Sequence, residues 1–121
     1  MKATKAEAEG NQMKQNRSKD LRVRVIKNFT DILMLKYLKH NPKSSGYQIL
    51  RSLHEKYNIL FSPGTIYNEI YALERKDFIA SEGDETYRVY SLTEKGDQAL
   101  NNMINEGHVV QELTAGIFQL P

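Results

Sequence analysis

Ser62, Thr65, Tyr67 and Asn68 are the side chains best placed to do chemistry by contact. Ser, Thr and Asn are short polar groups that hydrogen-bond phosphate oxygens or base edges, and Asn can hold adenine in bidentate fashion. Thr65 and Asn68 stand three apart, which puts them on one side of a helix. The Tyr67 hydroxyl can meet a phosphate while its ring packs. Blander readings exist: Tyr67 and Tyr71 as packing residues, Asn68 as a solvated position. Bond-breaking chemistry has no comparable set. His40, His54 and His108 fall in separate elements, without metal-ligand spacing or a nucleophile–base pair. The chain has no cysteine, which removes disulfides, thiolate zinc sites and thiol redox sensing. No catalytic residue, metal or cofactor is expected.

A helix must carry the four residues. Ser62 is a favoured N-cap and Pro63 a favoured first helical residue, since its missing N–H has no partner there anyway. Ile66, Ile70 and Leu73 follow at i, i+4 and i+7 and turn one face inward. Before it, Gly46 to Tyr57 reads as a helix capped by Ser44 or Ser45, with Tyr47 or Ile49, then Leu50, Leu53 and Tyr57, on its apolar face. Asn58–Phe61 is a connector in which a short strand has room to form. An earlier helix runs from about Phe29 to Lys39, with Asn28 or Thr30 as cap, and Asn41–Ser45 is a loop opened by Pro42. Residues 20–28 can extend that helix, form their own, or lie as an arm.

After the Ser62 helix come two strand-like runs, 78–82 and 86–92, joined by Gly83-Asp84-Glu85. Tyr90 and Leu92 share a face and are expected in the core. Thr93 caps a helix from Glu94 toward Asn105, and its stripe (Leu100, Met103, Ile104) resumes beyond Gly107 at Val110, Leu113 and Ile117, with a bend near that glycine. Helix, helix, hairpin, helix predicts a mainly α fold with a small β-hairpin: a winged helix-turn-helix with a long C-terminal dimerisation helix. The late stripe has no obvious home in its own subunit, so a homodimer about a two-fold axis is expected, with folding back onto the first helix as the alternative. Two recognition helices then meet half-sites about 34 Å apart on double-stranded DNA. The expected division is an arm at 1–19, a DNA-binding domain at 20–93 and a dimerisation helix at 94–121.

Charge is uneven. Residues 1–28 carry a net +5, including Arg17, Lys19, Arg22 and Arg24, and the remainder carries −3. A basic arm on an acidic body suits an anionic partner reached through the arm, although a solvated tail explains the run as well. Glu69 and the hairpin tip Glu82-Gly83-Asp84-Glu85 repel phosphates, whereas Arg88 and Lys95 near the hairpin base attract them. If about four basic residues per arm engage, a log–log salt slope of about −7 is expected. No apolar run approaches a membrane span, and the N-terminus lacks a signal-peptide core, so a cytoplasmic, nucleoid-associated protein is expected.

The chain resembles the PadR-like family of winged-helix transcription regulators. The resemblance rests on Gly46-Tyr47-Gln48-Ile49, Leu60-Phe61-Ser62-Pro63-Gly64-Thr65-Ile66-Tyr67, Leu73-Glu74 ahead of Phe78-Ile79, and Tyr87-Arg88-Val89-Tyr90-Ser91-Leu92-Thr93-Glu94-Lys95-Gly96, over about residues 29–104. It implies a DNA-binding homodimer joined by its C-terminal helix, often a repressor released by a small-molecule effector, with Ser62, Gly64, Thr65 and Tyr67 as DNA contacts. Asn68 stands where the family often has Pro or a basic residue, Asp77 where it often has Gly, and the wing tip is acidic where it is commonly basic. Two other functions remain on the table: a DNA-coating or plasmid-partition protein that spreads from a centromere-like site, and a winged-helix module that binds protein.

Overall fold

A computed structural model describes residues 20–120. The chain divides into two compact units, one ending at Thr30 and one spanning Asp31–Pro121.

In the first unit, residues 20–28 form a helix (α1), and Phe29 is a turn. The hydroxyl of Thr30 donates to the Ile26 and Lys27 carbonyls at 3.3 and 3.0 Å, and the Asn28 amide donates to the Arg24 carbonyl at 2.9 Å. Both side chains therefore close the end of α1 instead of capping the start of the next helix. The break at Phe29 makes 20–28 a separate helix.

The next elements are α2 (Thr30–His40), β1 (Ser44–Ser45), α3 (Gly46–Tyr57) and α4 (Pro63–Arg75). They are followed by β2 (Ile79–Glu82), β3 (Val89–Leu92), α5 (Glu94–Asn105) and α6 (Gly107–Ile117). Each inner helix begins on a side-chain cap. Ser45 accepts from the Gln48 N–H while the Gln48 side chain accepts from Ser45, a reciprocal capping box. Ser62 accepts from the Thr65 N–H, with Pro63 in the first turn. Thr93 accepts from the Gly96 N–H. Such a cap contributes about 1 kcal/mol. Asn58 and Asp77 end α3 and the α4 exit turn in the left-handed region, at φ 52° and 62°.

The sheet has three antiparallel strands in the order β1–β3–β2, with Ser44 opposite Tyr90 and Ile79 opposite Leu92. The loop expected at 41–45 thus contributes a third strand. The connector at 58–61 holds no strand; Ile59 and Phe61 plug into the core and Leu60 faces solvent.

The core joins Met34, Leu35 and Leu38 of α2, Ile49 and Leu53 of α3, Ile66, Ile70 and Leu73 of α4, and Ile79, Tyr90 and Leu100. Burying each large aliphatic side chain contributes about 1.5–3 kcal/mol. Ile49, not Tyr47, takes the inward position on α3. Leu92 is half-buried. Gly96 lets α5 start tight against the sheet, because a Cβ there would collide with the Phe78 carbonyl. The C-terminal stripe is interrupted: α5 stops at a turn on Glu106 and α6 starts anew. No described helix is long and apolar enough to cross a membrane.

Candidate nucleic-acid interface

The start of α4 stands open to solvent. Ser62, Pro63, Gly64, Thr65 and Asn68 are all exposed, while Ile66 and Ile70 anchor the opposite face. The Ser62 and Thr65 hydroxyls lie 2.7 Å apart, and Ser62 Oγ also accepts the Thr65 N–H at 3.1 Å. One hydroxyl proton is used between the two side chains, leaving one O–H and several lone pairs to face outward. Ser62 and Thr65 are therefore one polar unit. Among the described residues, a Cβ on Gly64 would meet no atom within 4 Å, so none of them requires glycine at that point.

Tyr67 is half-buried, with its ring end against the first residue of α3. A Cβ on Gly46 would lie 2.5–2.7 Å from Tyr67 Cε1, Cζ and Oη, so this close approach demands glycine. The Tyr67 and Tyr71 rings follow at 6.2 Å between centroids, tilted by 40°. Beside them runs an open groove of about 710 Å³ between the start of α3, the flank of α4 and the hairpin. Tyr47, Tyr67, Tyr71, Tyr87 and Tyr90 line it together with Arg88. Tyr47 is 63% exposed and Tyr87 82% exposed. The sequence pattern offered Tyr47 as a packing residue and gave Tyr87 no role. Their shared signal is that both are rings the core does not take. Tyr90 is buried, and burial, with Glu74 second, raises its phenol pKa and keeps it neutral.

The charges around this surface are mixed. Arg88 and Lys95 are exposed, and Lys95 Nζ lies 6.0 Å from the centroid of the Phe78 ring. Glu69 is half-buried; burial first and Asp31 second raise its carboxyl pKa, against a smaller opposing effect of Lys76. The hairpin tip is acidic and held in one shape: Asp84 Oδ1 accepts the Thr86 and Tyr87 N–H groups at 2.9 and 3.0 Å, and Gly83 turns the chain at φ 93°. Arg22 and Arg24 are exposed on α1, and Arg17 and Lys19 lie outside the described residues.

The expected dimer stripe divides. Leu100 is 1% exposed and belongs to the subunit's own core, so it is not available to a partner. Met103 is half-buried. Ile104, Val110, Leu113 and Ile117 are exposed, and Val109 and Phe118 join them in an uncovered apolar face. Glu112 is the one charged residue of α6.

The Transcriptional regulator PadR-like family matches residues 34–102. Among solved structures, a transcriptional regulator from Clostridium thermocellum shares 24% identity over 79% of this chain and 96% of its own, with a TM-score of 0.68. A PadR family regulator from Eggerthella lenta shares 18% over 91% and 99%, with a TM-score of 0.70. Another from hypervirulent Clostridium difficile shares 23% over 75% and 99%, with a TM-score of 0.62. At these identities the likeness is one of fold. No curated protein matches the chain. With the family match covering more than half of its length, this winged-helix chain belongs to the PadR-like family of transcriptional regulators.

Proposed function

We propose that the chain acts as a DNA-binding homodimer, most simply a transcriptional repressor. The observation that carries this reading is the open start of α4: a paired Ser62–Thr65 hydroxyl unit, a Gly64 that none of the described residues crowds, and an exposed Asn68 on the same helix. A backbone without a Cβ lets a phosphate or a groove wall approach closely. Pro63 has no N–H and Ser62 holds that of Thr65, so the Gly64 N–H together with the helix dipole is what favours an anion at this end. Tyr47 and Tyr67 add hydroxyl donors along the groove, which suits phosphate contact beside an acidic wing. Arg88 and Lys95 reach the backbone from the hairpin base, and Arg17, Lys19, Arg22 and Arg24 supply the longer-range attraction.

The exposed apolar residues at the end of α5 and along α6 support pairing through Ile104, Val110, Leu113 and Ile117, with Met103 at their edge. In this organisation the segment up to residue 19 is the arm, 20–93 reads DNA and 94–121 pairs the subunits. The basic arm and small size suit a second reading as well, a protein that coats DNA outward from a first site. Footprinting separates the two: a repressor protects one operator, and a spreading protein extends protection with concentration.

The direct test is the double variant Thr65→Ala, Asn68→Ala. It should weaken binding to a site selected from a random pool by more than tenfold while changing affinity for random duplex by less, since base contacts specify and phosphate contacts do not. Unchanged affinity for the selected site would sink the assignment of α4.

A further inference from the structure

The acidic wing tip and a basic cleft elsewhere on the surface are complementary in charge. The cleft lies between α2 and α3 and encloses about 240 Å³. Of its lining, Leu53 is buried, Tyr37 and Tyr57 are half-buried, and Lys36, His40 and Lys56 are exposed. Among the described residues, no carboxylate lines it. Among the described residues, neither Lys36 nor Lys56 has a carboxylate within 4.0 Å; the nearby Lys39 is engaged by Asp97 at 2.7 Å, and Glu55 by Arg51 at 2.8 Å. Lys56 Nζ instead lies 5.6 Å from the centroid of the Tyr57 ring.

The wing tip has the opposite character. Glu82, Asp84 and Glu85 are all exposed, with Arg88 the basic residue at their base. The Asp84 bonds to two backbone N–H groups fix the tip before any partner arrives. From it projects Tyr87, 82% exposed. A rigid aromatic side chain ringed by charge is the usual form of an interface anchor, and fixing it beforehand lowers the ordering cost of binding.

We infer that the wing of one copy docks into the α2–α3 cleft of a second copy, with the Tyr87 ring over Leu53 between Tyr37 and Tyr57, and with Glu82 and Glu85 against Lys36 and Lys56. Knob and socket are different parts of the surface, so a copy that has used its knob still offers its socket. A contact of this kind propagates unless its rotation closes a ring. It deepens the spreading reading, because it gives dimers on DNA a way to hold their neighbours, and it explains a wing whose charge repels phosphate. The contact needs no particular DNA sequence, so it can fail while DNA binding stands.

The experiment is sedimentation velocity of the full chain across a concentration series at low and high salt, alongside binding to a short duplex that holds one dimer. Wild type should form species above the dimer at low salt and lose them at high salt. Glu85→Lys and Lys56→Glu should each weaken that association at least about tenfold, and combining them should restore it, since the reversed pair is again complementary. Tyr87→Ala, at a position with little packing to lose, should abolish it with the fold intact by circular dichroism. A wild type that stops at the dimer overturns the inference, as does a double variant that stays as weak as the singles. Loss of short-duplex binding in Lys56→Glu alone gives the cleft to the DNA backbone instead. Benzoate, as a probe, shifting the Tyr37 and Tyr57 resonances of a chain that never assembles gives the cleft to a small organic anion.

Discussion

Gly64→Ala separates what the fold needs from what a bound partner needs. The added methyl meets nothing within 4 Å, and the backbone at Gly64 is not in the left-handed region that excludes alanine. Alanine reduces the freedom of the unfolded chain, a gain of about 0.5–1 kcal/mol inside a helix. Gly64 follows Pro63 at the helix start, so the lower end applies: about 0.5 kcal/mol, or roughly 2–4 °C in melting temperature for a domain of this size. Against DNA the same methyl stands where the backbone must come close. A loss of about tenfold in affinity corresponds to about 1.4 kcal/mol, a modest steric charge for one misplaced carbon. Differential scanning calorimetry and fluorescence anisotropy on the selected duplex read the two quantities separately. The expected pair is a raised Tm with a weakened Kd. A raised Tm with an unchanged Kd removes the start of α4 from the interface. A lowered Tm contradicts the open space around the residue.

Three further outcomes test other parts of the reasoning. Gly46→Ala should destabilise by about 1–3 kcal/mol, because the methyl forces the Tyr67 ring off its seat; thermal melts should show the loss in the absence of any DNA. Leu113→Asp alters a residue that is 64% exposed, so the subunit should stay folded while sedimentation mass falls from two chains to one; an unchanged mass places the pairing surface elsewhere. Glu69→Gln should raise Tm at neutral pH. A carboxyl whose folded pKa is raised stabilises the fold only while protonated, so that contribution is present below its unfolded value near about 4.3 and is lost as pH rises through the higher folded value. The advantage of glutamine should therefore fade in melts below about pH 4.

The helix starts were legible because capping is local: Ser45, Ser62 and Thr93 each act on a backbone N–H three residues on. The inward face of α4 was legible for the same kind of reason, a fixed period, and Ile66, Ile70 and Leu73 are all buried. What escaped was decided between distant segments. Two residues, Ser44 and Ser45, carry no strand period, and their pairing exists because β3 passes beside them. Tyr47 and Ile49 are both apolar enough for the α3 core face, and only the packed structure chooses Ile49. Periodicity gave Leu100 and Leu113 equal standing on one stripe, yet one lies in the core and the other in solvent. The tyrosine groove draws on α3, α4 and the hairpin at once, so no window of sequence contains it. Thr30 had a suitable side chain for a cap, but its hydroxyl was claimed by the preceding helix.

The two-residue strand β1 has an effect out of proportion to its length. It stitches the start of α3 to the hairpin, and Tyr67 leans on that same start from α4. Three segments are thereby clamped into a single jaw with little play of its own. A jaw of that stiffness is not retuned by nudging one of its parts. In a dimer joined through α6, adjustment falls to the articulation at Glu106, where α5 hands over to α6. In the proposed dimer, the geometry of that turn would set how far apart two such jaws are held.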